Sequence, residues 1–298
     1  MSSQATPSTD LYTASAFTAE GGFTDGIEGP GCDAAGNLYA VNFARQQTIG
    51  KVTPSGECSV FLELPNGSCG NGIRFDSRGD MLIADYTNHN VLRVDMDACA
   101  RAGSLAERNA AIGVHAHEPS MHQPNDIAIM ANDIVFASDP NWAESWGQMW
   151  RIDRDGAVTR LESPMGTTNG IEVSPDENTL YVNETAQRNV WAYDLSPTGD
   201  ISNKRLLIQF PDFAMDGMRC DIHGNLYVTR WGKGTVVKLS PQGEILREVQ
   251  LGGTKCTNIA FGGPDGCTAY VTVADLGRVE TFRVEAPGRE WQLSRRRI

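Results

Sequence analysis

Nowhere in the 298 residues do eighteen apolar residues run together, and residues 1–10 carry no basic segment followed by an apolar core. Neither a transmembrane helix nor a secretory leader is expected, and the reading is a soluble, cytoplasmic protein. The seven cysteines are odd in number and include no Cys-x-x-Cys pair. That spacing argues against a disulfide framework or a zinc ribbon and for reduced, mostly buried thiols. Positive charge is scarce, with 25 Lys and Arg against 37 Asp and Glu, a net charge of −12. Such a field repels phosphate backbones and anionic lipid, so no nucleic-acid or membrane partner is expected. Familiar catalytic signatures are missing too. There is no Gly-x-Ser-x-Gly elbow and no His-Glu-x-x-His pair, and no helix pattern follows Gly29-Pro30-Gly31 to make it a dinucleotide fingerprint.

Glycine and proline are plentiful, 31 and 14 residues, which implies many turns and therefore many short strands. Six segments share one layout: a polar lead residue, an apolar strand, a Gly or Asp/Asn turn and a second apolar strand. The clearest are Glu28 with GPGCDAAGNLYAVNF, Asn71 with GIRFDSRGDMLIADY and Asp216 with GMRCDIHGNLYVTRW. The lead residues, Glu28, Asn71, Asn125, Asn169, Asp216 and Asn258, are 43, 54, 44, 47 and 42 positions apart. A third strand follows each pair, and several units turn at a Gly into a fourth. A period near 45 with four strands is one blade of a β-propeller. The expectation is an all-β, six-bladed propeller forming one domain over residues 1–298, closed by an outer strand from the run beginning at Leu11.

Two insertions break the period. Residues 97–123 begin with an Ala-rich segment after Ser104, read as a short capped helix, and continue through His115, His117, Glu118 and His122. Residues 140–147 carry Trp142, Glu144 and Trp146. Both are read as lids over one end of the channel, because long loops on a rigid scaffold tend to carry function. Trp150 and Trp191 begin third strands and are assigned to packing. Arg295–Arg297 is read as a solvated tail.

In a propeller the first strand of each blade lines the axis, so the six lead residues should form a ring of two carboxylates and four amides. Any one Asn-Gly or Asp-Gly step is ordinary turn chemistry, but a turn would also accept Ser or Pro, and six in phase carry only oxygen donors. Oxygen ligands suit a hard divalent cation, and two carboxylates neutralise it while amides leave its Lewis acidity intact. All-oxygen ligation favours Ca2+, Mg2+ or Mn2+, and a partly open site also accepts Zn2+ or Fe2+. The His115, His117, Glu118 and His122 group is a rival transition-metal site, set against the simpler reading of a solvated loop.

The strings at Ile27-Glu28-Gly29-Pro30, Thr168-Asn169-Gly170-Ile171, Asp216-Gly217-Met218 and Thr257 with NIAFGG resemble the gluconolactonase family that includes senescence marker protein (regucalcin). The likeness spans all six blades. It implies a metal-dependent lactonase in which Glu28, Asn169 and Asp216 hold one divalent cation and Asn125 contacts the cation or the substrate. Two positions depart from relatives. Gln123 stands where sugar-lactone enzymes often place Arg, two residues before Asn125. Arg219 stands where the similar diisopropyl fluorophosphatase has an acid that serves a second calcium.

The expected reaction is hydrolysis of a small lactone, a sugar lactone or a relative of one. Asp216 is the expected general base, because a carboxylate bound through one oxygen keeps the other free. Asn71, Asn125, His122, Gln123, Trp142 and Asn258 are the expected substrate contacts. A metal-dependent esterase or phosphotriesterase, and a non-enzymatic interaction propeller, are the alternative readings. Oligomeric state is not legible.

Overall fold

The computed structural model describes residues 10–295. The leader reading over residues 1–10 and the tail reading therefore fall, apart from Asp10 and Arg295, outside the described residues. No described helix is long and apolar enough to cross a membrane.

Among the described residues twenty-four strands form six four-stranded antiparallel sheets around one axis. β1 (Ser15–Ala16) is the N-terminal closing strand. Blade one is β2 (Phe23–Cys32), β3 (Leu38–Phe43), β4 (Thr48–Val52) and β5 (Cys58–Glu63). Blade two is β6 (Gly70–Phe75), β7 (Met81–Asp85), β8 (Asn90–Val94) and, after helices α1 (Met96–Arg101) and α2 (Leu105–Asn109), β9 (Ile112–His117). Blade three is β10 (Ile127–Ile129), β11 (Val135–Asn141), β12 (Trp146–Ile152) and β13 (Val158–Met165). Blade four is β14 (Thr168–Val173), β15 (Thr179–Glu184), β16 (Asn189–Leu195) and β17 (Ile201–Gln209). Blade five is β18 (Met218–Cys220), β19 (Leu226–Arg230), β20 (Thr235–Leu239) and β21 (Ile245–Gln250). Blade six is β22 (Cys256–Gly262), β23 (Thr268–Val273), β24 (Arg278–Arg283) and, from the other end of the chain, β1, which pairs with β24. Helix α3 (Arg289–Arg295) follows.

The burial pattern explains why the strands read as they do. Inner strands have neighbours on both faces, so β7 and β19 are buried at every position. Outer strands such as β21 are exposed along most of their length. Apolar clusters lie between successive blades: Tyr39 and Val41 of blade one pack with Ile73 and Ile83 of blade two, and the pattern repeats around the circle. The cores are wedges between blades, which leaves the axis to polar residues.

The two insertions differ from the lid reading. The connection from β8 to β9 leaves from the end of the blade opposite the ring, so α1 and α2 sit on the far face, where Arg108 Nε donates to Phe61 O at 2.9 Å. Ser104 does cap α2, accepting from Glu107 N at 3.2 Å. The stretch carrying His115 and His117 is not loop but β9, the outer strand of blade two. Residues 140–147 are half ladder, with β11 and β12 paired out to Asn141 and Trp146, so only the tip at 142–145 projects.

Candidate active site

The ring residues lie at interruptions of the inner strands. Sequence reasoning places them just before the first strand, but Glu28, Asn71, Asn169 and Asn258 are inside β2, β6, β14 and β22. There the ladder register breaks, between Gly70 and Ile73, Thr168 and Ile171, and Cys256 and Ile259. The bulges free these side chains from the period-two alternation of a regular strand and re-aim them at the axis. Asn125 and Asp216 precede β10 and β18 and bond to the preceding blade through their backbones, with Gly72 N donating to Asn125 O at 2.8 Å and Asn183 Nδ2 to Asp216 O at 2.5 Å.

The glycines after the ring residues answer a different need from turn geometry. A Cβ on Gly29 would lie 1.7 Å from Asn71 O, and one on Gly217 would lie 1.9 Å from Asn258 Cγ. Blades one, four and five leave room in this way for the next blade's ring residue, Gly170 facing Asp216 O as Gly29 faces Asn71 O.

A second set of residues, at the ends of the second strands, holds the segments leading into the ring. Asp85 accepts from Cys69 N, Asp139 from His122 N and Gln123 N, and Glu184 from Gly166 N. Asn42 Nδ2 donates to Gly26 O, and Arg230 Nη2 to Asp212 O. Asp139 also accepts from Gln148 and Trp150 at 2.8 Å each, which ties Trp150 into the blade core as packing.

Within the ring, Glu28 accepts from Gly29 N and from Asn258 Nδ2, the latter at 3.0 Å. The Glu28 and Asp216 carboxyls hydrogen-bond each other. Burial raises both above the ordinary carboxylate range; the Asp126 charge adds to this at Glu28, and the Glu28 charge at Asp216. Asn169 Nδ2 donates to Thr185 Oγ1 at 3.0 Å, while Asn169 Oδ1 and Asn71 Oδ1 are buried with no hydrogen-bond partner. Orphaned buried acceptors are rare and mark a place for an ion or water.

A cavity of about 350 Å3 opens on this side of the ring. Its lining includes Glu28, Asn71, Asn125, Asn169, Asp216 and Trp142, together with Asp25, Asn42, Gln46, Tyr86 and Trp231. The structure thus brings five of the six ring residues and Trp142 to one cavity. It does not bring Asn258, His122 or Gln123 there. Asn258 is buried, with Oδ1 accepting from Ile259 N and Nδ2 donating to Glu28 and Asp126, so it orients Glu28 and presents nothing to a substrate. His122 stands edge-on to Trp146, ring centroids 4.8 Å apart, and both His122 and Gln123 are pinned through their backbones to Asp139, away from the lining.

Tyr86 and Trp231 were missed although a signal exists. They follow Asp85 and Arg230 in the same frame that reveals the ring, one strand later. Asp126 was also missed. It is fully buried beneath the ring, 3.1 Å from Arg219 and 3.5 Å from Arg74. Around it Glu172 pairs with Arg74 and Arg289, and Glu290 of α3 with Arg219. The Arg219 guanidinium thus fills the axis below the ring.

The donors fit a single hard cation: two buried carboxyl groups side by side and an amide oxygen without a partner. Among the described residues no group of three or more His, Cys, Asp and Glu is placed to hold a metal ion by itself. The rival histidine site is therefore not assembled. His117 Nδ1 instead meets Asn90 Oδ1 at 2.8 Å, and Glu118 accepts from Ser120.

Comparison with known proteins agrees with this architecture. The pentonolactonase of Haloferax volcanii is 34% identical over 154 residues, 50% of this chain and 53% of that protein, so the match spans about half that relative's length. The gluconolactonase of Zymomonas mobilis is 25% identical over 288 residues, covering 85% of this chain and 78% of that one. A solved calcium-binding regucalcin from Agrobacterium tumefaciens superposes with a TM-score of 0.74 at 21% identity, covering 91% of this chain and 96% of that one. The sequence model of the SMP-30/Gluconolactonase/LRE-like region matches residues 27–275, and the chain belongs to that family.

Proposed function

We propose that this chain is a divalent-metal-dependent lactonase acting on a sugar lactone or a related small lactone. The observation that carries the reading is the convergence of Glu28, Asp216 and the unpartnered Asn169 Oδ1 on one cavity, in a family whose relatives are named for pentonolactone and gluconolactone hydrolysis. Glu28, Asn169 and Asp216 would hold the cation, with Asn125 as a fourth oxygen ligand. The chemistry a hard cation supplies here is polarisation of the lactone carbonyl and stabilisation of the oxyanion.

The remaining work falls to the chain. Asp216, held to the cation through one carboxylate oxygen, would keep the other free to accept the proton of the attacking water. Asn258 fixes the Glu28 carboxylate from behind. Asn71 and Asn125 orient substrate hydroxyls, and the Trp142 and Trp231 rings offer apolar faces to the carbon skeleton.

The test is metal analysis of the purified protein, followed by pH-indicator assays on aldonolactones, aryl lactones and an organophosphate with Ca2+, Mg2+, Mn2+, Zn2+ or Fe2+ added. Aldonolactone hydrolysis that Asp216→Ala abolishes, with the melting curve retained, is the expected result. A folded, active Asp216→Ala protein sinks the base assignment, and organophosphate turnover without lactone turnover sinks the substrate class.

A further inference from the structure

Lactone hydrolysis changes the charge of the molecule in the site. The substrate is neutral; water adds across the C–O ester bond, the ring oxygen leaves as a hydroxyl, and the new acid releases a proton to become a carboxylate at neutral pH. The cavity is built to feel that difference. Its lining holds three carboxylates, Asp25, Glu28 and Asp216, and among the described residues no Lys, Arg or His. A bound dication is balanced by Glu28 and Asp216, which leaves the Asp25 charge over. Asp25 is exposed at the mouth and, among the described residues, accepts no hydrogen bond and has no ion-pair partner. Lys255 stands over the Trp231 ring, Nζ 5.8 Å from its centroid, but outside the lining. The deeper Arg74 and Arg219 charges are met by Asp126, Glu172 and Glu290 and add no positive charge to the cavity.

Resting on the lactonase reading, we propose that the cavity admits uncharged lactones and discharges their carboxylate products on charge, with Asp25 as the residue that sets the sign. The rest of the wall matches a neutral guest. Tyr86, Trp142 and Trp231 give aromatic faces, and Asn42 and Gln46 give amides for hydroxyl groups. A carboxylate or phosphate arriving there meets like charge with no guanidinium or ammonium to receive it.

The experiment uses the metal-loaded protein, D-glucono-1,5-lactone as substrate and D-gluconate as competitor, at low and raised ionic strength. In the wild type the gluconate inhibition constant is expected to exceed KM by about tenfold or more at low salt, with the gap narrowing as the Debye length shortens. Asp25→Lys is expected to lower the ratio of inhibition constant to KM by about fivefold or more, and Asp25→Asn by less. Gluconate binding is read separately as a thermal shift, which needs no turnover. Gluconate inhibiting near KM in the wild type, or an unchanged ratio in Asp25→Lys, overturns the charge rule while leaving the lactonase reading standing. Absence of lactone hydrolysis together with gluconate binding that is weak and strengthened by Asp25→Lys sinks the lactonase reading and keeps the charge rule.

Discussion

Gly217 has no side chain because Asn258 of the next blade stands where one would be, 1.9 Å from a Cβ, and Asn258 cannot retreat without releasing Glu28 and Asp126. Gly217→Ala is therefore expected to cost about 3 kcal/mol or more in urea unfolding. Gly113→Ala in β9, where a Cβ meets nothing within 4 Å, should stay within about 0.5 kcal/mol of wild type. Equal losses at the two positions would mean that packing at the axis is not what selects glycine. The pair also marks how far residues can be read from sequence. The step from ring residue to glycine was visible, yet it looks the same as a turn, and only the neighbouring blade reveals the close approach. Asn258 shows the converse. Its phase puts it in the ring, but phase does not say that both amide atoms are already engaged behind Glu28.

In blades one to five a residue at or near the end of the second strand reaches back to the backbone leading into the ring, and these contacts hold the site as much as the ring does. Asp139 accepts from four N–H groups, the backbone of His122 and Gln123 and the side chains of Gln148 and Trp150. Asp139→Ala should lose about 3 kcal/mol, because buried donors are left without an acceptor. It should also lower kcat by displacing Asn125. A stable variant with normal turnover would remove the positioning role. The closing strand offers a pH test. Burial pushes the Glu285 carboxyl up, but hydrogen bonds from Lys238 and Tyr12 outweigh it and hold the group at about 2. A depressed folded value stabilises above the ordinary glutamate value and is lost as pH falls toward 2. The melting temperature should therefore decline through that window, and Glu285→Gln should flatten the decline. The blades themselves were legible because alternating apolar strands and Gly turns repeat six times. The second-strand ends share that phase, but their holding role was not legible, because a side chain whose partner is backbone leaves no pattern in side-chain identity. The insertion at 97–123 was misplaced for a related reason: β9 is the exposed outer strand of its blade, and its polar histidines resemble loop.

The whole molecule is organised along its axis as a carboxylate and amide ring above a closed ionic layer. Three guanidiniums, Arg74, Arg219 and Arg289, face Asp126, Glu172 and Glu290, and α3 brings the last two partners, Arg289 and Glu290, from the C-terminal end of the described chain. The layer is balanced, whereas in the ring above it two carboxyls, Glu28 and Asp216, lie together and burial raises both. Carboxyls raised in the fold contribute stability at low pH that is lost as pH rises, so the metal-free protein should weaken from acid toward alkaline conditions. A divalent cation removes that repulsion, and its effect must grow over the same range. At a concentration one hundred times its dissociation constant it adds about 2.7 kcal/mol. Thermal melts with chelator and with added Ca2+ at pH 5 and pH 8 measure both limbs: the gap between the two curves should be larger at pH 8, and Glu28→Gln should shrink it. A gap that is the same at both pH values, or that survives Glu28→Gln unchanged, would place the cation away from the axial ring.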